Sequence, residues 1–419
     1  ANAVPNAFTD VTLPGVVNLQ VPETTPVAYD SLTFACSLGD DVDWSGLGAS
    51  TKIGTVDLAT HALAVRQLEG NLTVTDTVGN GQFRIDVPAG TTYENKTVAL
   101  AGGVKLVKLG AGEFIAKREG QSYAGGTEVA AGTLKFGMNG DLQPLGGAGG
   151  TIDVKAQGVL DLNGFVNQYL NPLVLEGGVW ANTGAAQSIT SSSIASLTLT
   201  DDSQINVVGS ISLAAEGLGP SSLDLGGHVL TVNVANNLVF RLMNCTATNG
   251  TVRVFGANAN SCLSFNATAC RAETVDFDLS CSLAPYVATT VRNLTLRSAS
   301  VYQDVTPGVT SVLGTFKTYT KKFQNIELRH GSTLDLTEWE GPFNTASELQ
   351  DRSVTFAPGA TVTVDVHGRE LVPGQQLVSW ATRPEGTNFR LDSESALKHG
   401  VAAQHDGLYV AVGLLIIVR

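Results

Sequence analysis

Short segments in which apolar and polar residues alternate run along most of the chain. Residues 70–74, 83–87, 229–234 and 361–366 are typical, and Gly, Asn or Asp follows soon after each of them. A period of two between turn-forming residues predicts half-buried β-strands. We find no stretch of a dozen residues with a strong helical period, although residues 392–399 are compatible with one or two helical turns. The chain is therefore predicted to be almost entirely β.

An all-β chain of 419 residues must protect its sheet edges, which a sandwich, barrel, propeller or solenoid achieves in different ways. A propeller would show a recurrent aromatic signature in each blade, whereas the 4 Trp, 8 Tyr and 15 Phe here are sparse and irregular. A parallel β-helix fits the short strands, the frequent turns and the aliphatic inward positions. We predict an all-β parallel β-helix, or β-solenoid, of roughly 20 coils with capping segments at both ends.

Composition supports this fold and excludes one class of partner. Charged residues form only 15% of the chain, and 46 of its 419 residues are Gly. The net charge of −13 argues against nucleic acid, because affinity for phosphates comes from Lys and Arg. The longest apolar run, residues 408–418, is shorter than the roughly 20 residues that span a bilayer, so we predict that the protein is not membrane-spanning.

Residues 106–115 and 122–136 contain glycines at regular places. Lys108 begins a Lys-x-Gly-x-Gly sequence, and a Tyr-x-Gly-Gly-Thr corner and a Gly-Thr-Leu strand follow it. This stretch, within residues 104–165, resembles the autotransporter-associated β-strand repeat. Glycine tolerates tight turns that are closed to other residues. The turn glycines of the motif are Gly110, Gly112, Gly125, Gly126 and Gly132.

The resemblance implies a right-handed parallel β-helix in a secreted bacterial protein. Proteins of this family commonly end in a membrane barrel, but this sequence ends at Arg419 directly after one apolar strand. Either such a barrel was removed or the protein is exported by another route, and we favour the second alternative. The chain begins at Ala1 without Met, so we expect that a signal peptide has been removed.

Four of the five cysteines fall within one short stretch and are candidates for two disulfides in an oxidising compartment. Their three possible pairings stay open, and buried reduced thiols are the alternative. The spacings lack the Cys-x-x-Cys pairs of zinc sites, so no metal is expected. The disulfide candidates are Cys245, Cys262, Cys270 and Cys281.

The chain ends suggest a division into three parts. Residues 1–45 form an N-terminal extended or capping segment, 46–370 form the β-helix, and 371–419 form a C-terminal β cap. An uncapped solenoid end is insoluble or self-associating. The apolar termini therefore either cap the chain internally or pair head to tail into a filament. The self-assembly candidates are Val16, Val17, Leu19, Val21, Leu414, Leu415, Ile416, Ile417 and Val418.

Potential catalytic groups are few. Asp201-Asp202 and the acidic stretch at residues 40–43 are the clustered carboxylates, and both fit solvated turns between strands. His330 and His367 each precede Gly, which again indicates turns. We therefore predict no catalytic, cofactor-binding or metal-binding residues, and no enzymatic activity.

Together these features predict a secreted or cell-surface structural and interaction protein of a bacterium. It would be a rigid rod that assembles head to tail into an extracellular filament, or an adhesin stalk, and it would contact surface glycans. The alternative function is a polysaccharide-binding or polysaccharide-degrading protein that uses an exposed sheet face. The four tryptophans lie far apart in the sequence, which favours the structural role.

Overall fold

The computed structural model confirms an all-β fold with parallel stacked strands. The strands form a β-solenoid of about 12 turns with almost no helix. The chain divides into two compact units, unit 1 (Ala1–Gly209) and unit 2 (Ser210–Arg419). The boundaries predicted near residues 45 and 370 stay a prediction. The structure describes residues 7–13, 33–43, 55–66, 72–138, 145–147, 150–165, 171–184, 194, 196–209, 211–213, 221–266, 270–297, 308–346 and 352–412.

Unit 1 consists of short strands separated by turns, as the alternating pattern predicts. Its described strands are β1 (Ala7–Leu13), β2 (Thr33–Leu38), β3 (Val42–Asp43), β4 (Thr55–Asp57), β5 (Ala62–Val65), β6 (Thr73–Asp76), β7 (Gln82–Asp86), β8 (Thr92–Asn95), β9 (Ala99–Gly102), β10 (Lys105–Leu109), β11 (Glu113–Ala116), β12 (Ser122–Tyr123), β13 (Thr127–Phe136), β14 (Ile152–Asp161), β15 (Leu173–Glu176), β16 (Val179–Asn182), β17 (Ser196–Leu199) and β18 (Ser203–Val207).

Parallel ladders connect these strands from one coil to the next. The first ladder joins β1, β2, β4, β6, β9 and β12. The second joins β3, β5, β7, β10, β13, β14, β15 and β17. The third joins β8, β11, β13, β14, β16 and β18. The long strands β13 and β14 take part in two ladders.

Unit 2 has the same strand-and-turn organisation. Its described strands are β19 (Ile211–Leu213), β20 (Ser221–Asp224), β21 (Val229–Val234), β22 (Val239–Met243), β23 (Cys245–Thr248), β24 (Gly250–Gly256), β25 (Cys262–Asn266), β26 (Cys270–Ser280), β27 (Ser282–Pro285), β28 (Thr289–Leu296), β29 (Thr310–Val312), β30 (Thr315–Thr318), β31 (Ile326–Leu328), β32 (Thr333–Asp335), β33 (Phe343–Asn344), β34 (Val354–Phe356), β35 (Thr361–Asp365), β36 (Gln376–Ser379), β37 (Asn388–Leu391), β38 (Val401–Ala403) and β39 (Gly407–Val410).

Unit 2 also stacks its strands in three parallel ladders. They join β19, β22, β25 and β27, then β20, β23, β26, β28, β29, β31 and β34, and then β21, β24, β26, β28, β30, β32, β35 and β37. A separate sheet pairs β33 with β36 in parallel, while β39 pairs antiparallel with β36 and with β38.

The prediction of roughly 20 coils is wrong. Many coils are longer than expected, since Thr127 pairs with Ile152, 25 positions later, and Ile326 pairs with Val354, 28 positions later. In addition, β36, β38 and β39 belong to the sheet with antiparallel pairs rather than to further coils. Both features use residues without adding coils.

Helical structure in the described part of the chain is limited to one 3-10 turn, Ser395–Leu397. This turn lies inside residues 392–399, where the sequence allows helical turns. None of the helical structure that could be searched has the length and apolar character needed to cross a membrane.

Inward side chains stack in columns along the ladders. Because successive strand residues point to opposite faces, every second residue enters the interior and meets its partner from the next coil. One column of unit 1 is aliphatic except at one position. From coil to coil it contains Val65, Ile85, Lys108, Val129, Val154, Leu175 and Leu199, all buried.

Lys108 occupies this apolar column with its side chain fully buried. Its Nζ donates hydrogen bonds to the carbonyl oxygens of Leu109 at 2.7 Å, Gly110 at 2.8 Å and Ala131 at 3.1 Å. Burial lowers the pKa of the ammonium group to about 8, and the charge of Asp86 opposes this change. The buried Lys108 thus bonds carbonyl oxygens at the corners, and that of Leu109 also accepts from the Val87 N–H at 3.1 Å.

Other buried polar side chains pair backbone groups within corners. The carboxylate of Asp76 accepts hydrogen bonds from the backbone N–H groups of Val78 at 3.1 Å, Gly79 at 3.0 Å and Gly81 at 2.5 Å. Burial raises the pKa of Asp76, but these N–H groups outweigh that effect and hold the pKa below its usual value. The corner is therefore built around an ionised carboxylate.

Amide side chains make the same kind of bond between coils. The Oε1 of Gln121 accepts from the Leu100 N–H at 2.6 Å, and its Nε2 donates to the Val98 carbonyl at 3.0 Å. The Nδ2 of Asn171 donates to the carbonyl of Gly150 at 2.6 Å. Each amide bonds to the backbone of the preceding coil, 21 positions earlier. These bonds fix the register between coils at the corners and pair backbone groups that are buried there.

Replacing Lys108 with Met should change how stability depends on pH. The folded-state pKa of about 8 lies below the unfolded value of about 10.4, so the unfolded chain binds more protons between these values. Wild-type stability should therefore rise relative to Lys108→Met as pH increases from 8 to 10.5, by at most about 3 kcal/mol. Urea unfolding of both proteins across this range measures the difference.

The buried cysteines affect the pH dependence of stability equally in the wild type and in Lys108→Met. Their contribution therefore cancels when the two stability curves are subtracted. Parallel stability curves for the two proteins would show that Lys108 keeps an ordinary pKa in the fold.

Candidate functional site

The predicted turn glycines all lie where another residue would be strained. Gly110, Gly126 and Gly132 have positive φ angles of 72°, 85° and 66°. Gly112 and Gly125 instead approach the preceding coil so closely that a Cβ would collide with backbone carbonyl oxygens. The motif therefore has a structural explanation in coil corners, independent of any ligand.

The four clustered cysteines are buried and free, and no disulfide is present among the described residues. The structure therefore shows the reduced alternative rather than the predicted disulfides. Burial raises the pKa of Cys245, Cys262 and Cys281 to about 12 and also raises that of Cys270. Such thiols are protonated at neutral pH and poorly reactive.

The predicted self-assembly residues lie outside the described part of the chain. This applies to every residue of that set, and their role stays a prediction. The residues are Val16, Val17, Leu19, Val21, Leu414, Leu415, Ile416, Ile417 and Val418.

Asp201, Asp202, His330 and His367 lie in turns between strands, as predicted, whereas Asp43 of the acidic stretch 40–43 lies in β3. Asp201 and Asp202 are exposed between β17 and β18, and the Asp202 N–H donates to Oδ1 of Asp201 at 2.7 Å. His330 and His367 are exposed in turns that follow β31 and β35.

Unit 2 has a polar surface on the outward face of β21, β24, β26, β28, β30, β32 and β35, which we call the polar face. Its side chains come from the strand positions that alternate with the buried ones. In ladder order, one column of this face contains Thr231, Arg253, Asp278, Thr295, Lys317, Asp335 and Asp365.

Opposite charges on adjacent coils pair across the polar face. Asp278 binds Nε of Arg297 at 2.7 Å and lies 3.8 Å from Nε of Arg253. The hydrogen bond that Arg297 donates to Asp278 raises the pKa of Arg297. The guanidinium of Arg297 also lies 5.2 Å from the ring centre of Tyr319, a distance suited to a cation–π contact.

Lys317 forms a second centre of charge on the same face. Its Nζ lies 3.3 Å from Asp335 and 3.1 Å from Glu338. Burial lowers the pKa of Lys317, but its bonds to Glu338 and Asp335 outweigh burial and raise the pKa above its usual value. Tyr319, which is 40% exposed, also lies over Lys317, 5.4 Å from Nζ to the ring centre.

A neighbouring outward column is rich in hydroxyl and amide groups. Asp276, Asn293, Thr315, Thr333 and Thr363 follow one another along the ladder. Oδ1 of Asn293 accepts from the Thr315 N–H at 2.5 Å. This column therefore consists of three threonines, one asparagine and one aspartate.

Unit 1 carries a smaller charge cluster on the outward face of β10, β13, β14 and β15. Lys105 binds Glu128 at 2.6 Å, and Lys155 binds Glu176 at 2.6 Å. Asp153 lies between these pairs and is in register with Glu128. Burial raises the pKa of Asp153, and the positive charges of Lys105 and Lys155 partly oppose this increase.

A cleft of about 340 Å³ lies beside β34 in unit 2. Phe356, Thr355 and the exposed Arg383 line it, and so does Trp380, which is only 5% exposed. Trp380 stacks on Phe389 with ring centres 5.4 Å apart. An apolar wall, hydroxyl groups and one cation together could hold a small polar ligand.

Comparisons with known proteins give no relative. No protein-family model, curated protein or solved structure matches this chain. The resemblance to the autotransporter-associated repeat therefore stays a prediction.

Sequence reasoning missed the residues of the polar face and the cleft. One signal for outward residues was present, because a residue next to a buried strand position points outward. In unit 1 it applies to Asp153 and Lys155, which flank the buried Val154. In unit 2 it applies to Lys317, which follows the buried Phe316. However, the length of each coil decides which residues of adjacent coils face each other. The alternation of polar and apolar residues does not reveal that length.

Replacing Lys105 with Met should raise the pKa of Asp153 further. The substitution removes a positive charge that opposes the effect of burial on this carboxyl group. A carbon-13 NMR titration of labelled Asp side chains measures the change. Lys135→Met is the matched control, because Lys135 pairs with Glu113 in another ladder. An unchanged Asp153 titration in Lys105→Met would contradict the electrostatic role of Lys105.

Proposed function

We propose that this protein is a secreted or cell-surface structural and interaction protein whose β-solenoid is the scaffold. The observation that carries the proposal is the polar face, where Asp278 pairs with Arg253 and Arg297 from the coils on either side of it. Charges paired in this way stabilise stacking. The Thr and Asn column beside them fits the same role.

The finer features of this proposal follow from the sequence. They are a right-handed coil, export from a bacterium, and capping or head-to-tail assembly by the terminal segments into a filament or an adhesin stalk. Parallel crossovers in one sheet strongly favour right-handed connections. Parallel coils also leave unpaired backbone groups at any uncapped end, which supports assembly through strand pairing.

Negative-stain electron microscopy over a concentration series tests assembly. We expect fibres that lengthen with concentration. Ile416→Asp should shorten or abolish them, because a charge opposes burial of the apolar segment at residues 408–418 in a contact between subunits. Leu397→Asp is the matched control, since Leu397 is exposed. Single particles at every concentration would contradict filament formation and leave a monomeric scaffold.

The second candidate function is binding of a polysaccharide, and the cleft beside β34 favours it. Phe356 offers apolar surface and packs against Trp380 behind it, while Arg383 offers a cation. This combination suits a saccharide that carries a carboxylate.

Arg383→Gln should weaken binding of uronic-acid oligosaccharides at least about tenfold, because it removes a charge-assisted hydrogen bond. Calorimetry with acidic and neutral oligosaccharides of equal length measures this effect. Arg390→Gln is the control, because the Nε of Arg390 bonds to Thr363 on the ladder instead. Equal binding by wild type and Arg383→Gln would exclude this role of the cleft.

A further inference from the structure

Two of the buried cysteines lie directly opposite each other on adjacent coils. Thr246 pairs with Arg271 in the parallel ladder of β23 and β26. Stepping back one position on both strands places Cys245 opposite Cys270. Both residues are buried, with 3% and 5% exposure, so both side chains enter the interior.

This arrangement matches the geometry of a disulfide. Neighbouring strands lie roughly 4.8 Å apart, and disulfides join residues with Cα atoms about 4.4–6.8 Å apart. Sγ of Cys270 lies 3.0 Å from the carbonyl oxygen of Leu242, in β22 three positions before Cys245. A Cys270 thiolate also raises the pKa of Cys245, but Cys262 acts on Cys281 in the same way, so only the strand register distinguishes the two pairs.

The other cysteines do not share this register. Cys262 is opposite Ser282, so Cys281 is displaced by one position from it. Cys36 pairs with Val11 on one side and Val56 on the other. Within the part of the chain that the structure describes, Cys245 and Cys270 are therefore the cysteines in direct register.

We propose that Cys245 and Cys270 are a disulfide site that links two adjacent coils when a small-molecule disulfide oxidises them. The thiolate of one cysteine attacks the oxidant, forms a mixed disulfide and releases one thiol. The second cysteine then attacks the protein sulfur of the mixed disulfide and releases the second thiol. Two electrons pass to the oxidant, and the two protons of the cysteines end on the released thiols.

Burial controls how fast this reaction runs. Thiolates are the nucleophiles, and both thiols have raised pKa values in the folded chain. Oxidation of the folded protein therefore requires local opening of the coils, whereas a partly unfolded chain reacts freely. When the coils close again, their register places Cys245 opposite Cys270. The second step of the exchange therefore joins these two cysteines rather than either of them and another thiol.

Incubation of the reduced full-length chain with oxidised glutathione, followed by alkylation and peptide mapping without reductant, tests the proposal. We expect a cross-linked peptide that joins Cys245 to Cys270, formed at least about tenfold faster in urea near the start of unfolding than in buffer alone. The oxidised protein should melt about 3 °C above the reduced protein.

Cys262→Ala is the matched control and should keep the Cys245–Cys270 peptide and the rise in Tm. Cys270→Ala should lose both, and Cys245→Ala provides the same test from the other side. Peptide mapping of the wild type decides the outcome even if a variant fails to fold. A bridge from Cys245 to Cys36, Cys262 or Cys281, a Cys262–Cys281 bridge alone, or no bridge at all would overturn the proposal.

Discussion

Each coil must hydrogen-bond its backbone to the coils on both sides, and the rest of the structure depends on this constraint. Strand ladders satisfy it along the straight segments, but the ladders stop at the corners. There, buried side chains take over: Asp76 accepts three backbone N–H groups, Gln121 bonds to the preceding coil, and Lys108 pairs three carbonyls. Polar residues in the interior are thus part of the fold, because an unpaired corner would cost more than burying them.

The strands were the part of the fold that the sequence could predict. Period-two alternation located β21 at Val229–Val234 and β35 at Thr361–Asp365 almost to the residue. The reason is physical, since one face of each strand is buried and a shift by one residue would expose the apolar set. Turn glycines such as Gly126 were equally visible, because their backbone conformation excludes other residues.

Coil length and side-chain partnership could not be predicted. Alternation does not show how many residues lie between two strands. The pairing of Ile326 with Val354 and the antiparallel sheet of β36, β38 and β39 were therefore not predicted. The polar face could not be predicted from the sequence for the same reason. Arg297 and Asp278 become neighbours only because of the register between their coils. Lys108 was also missed as an interior residue, since a charge in a strand is ordinarily read as exposed.

Charge pairing between coils bears on how such a chain can grow during evolution. Arg253 lies in register with Asp278, and Lys155 with Glu176. A tandem duplication of the coil that carries Arg253 would stack arginine on arginine at a spacing of roughly 4.8 Å, and like charges at that distance repel. A copied coil that kept Arg253 would therefore stack less well until this outward position diverged, although Asp335 and Asp365 show that a like-charged pair in register does occur in the fold. Inward aliphatic positions face no such pressure, so traces of ancestral repetition should survive longest inside the coils.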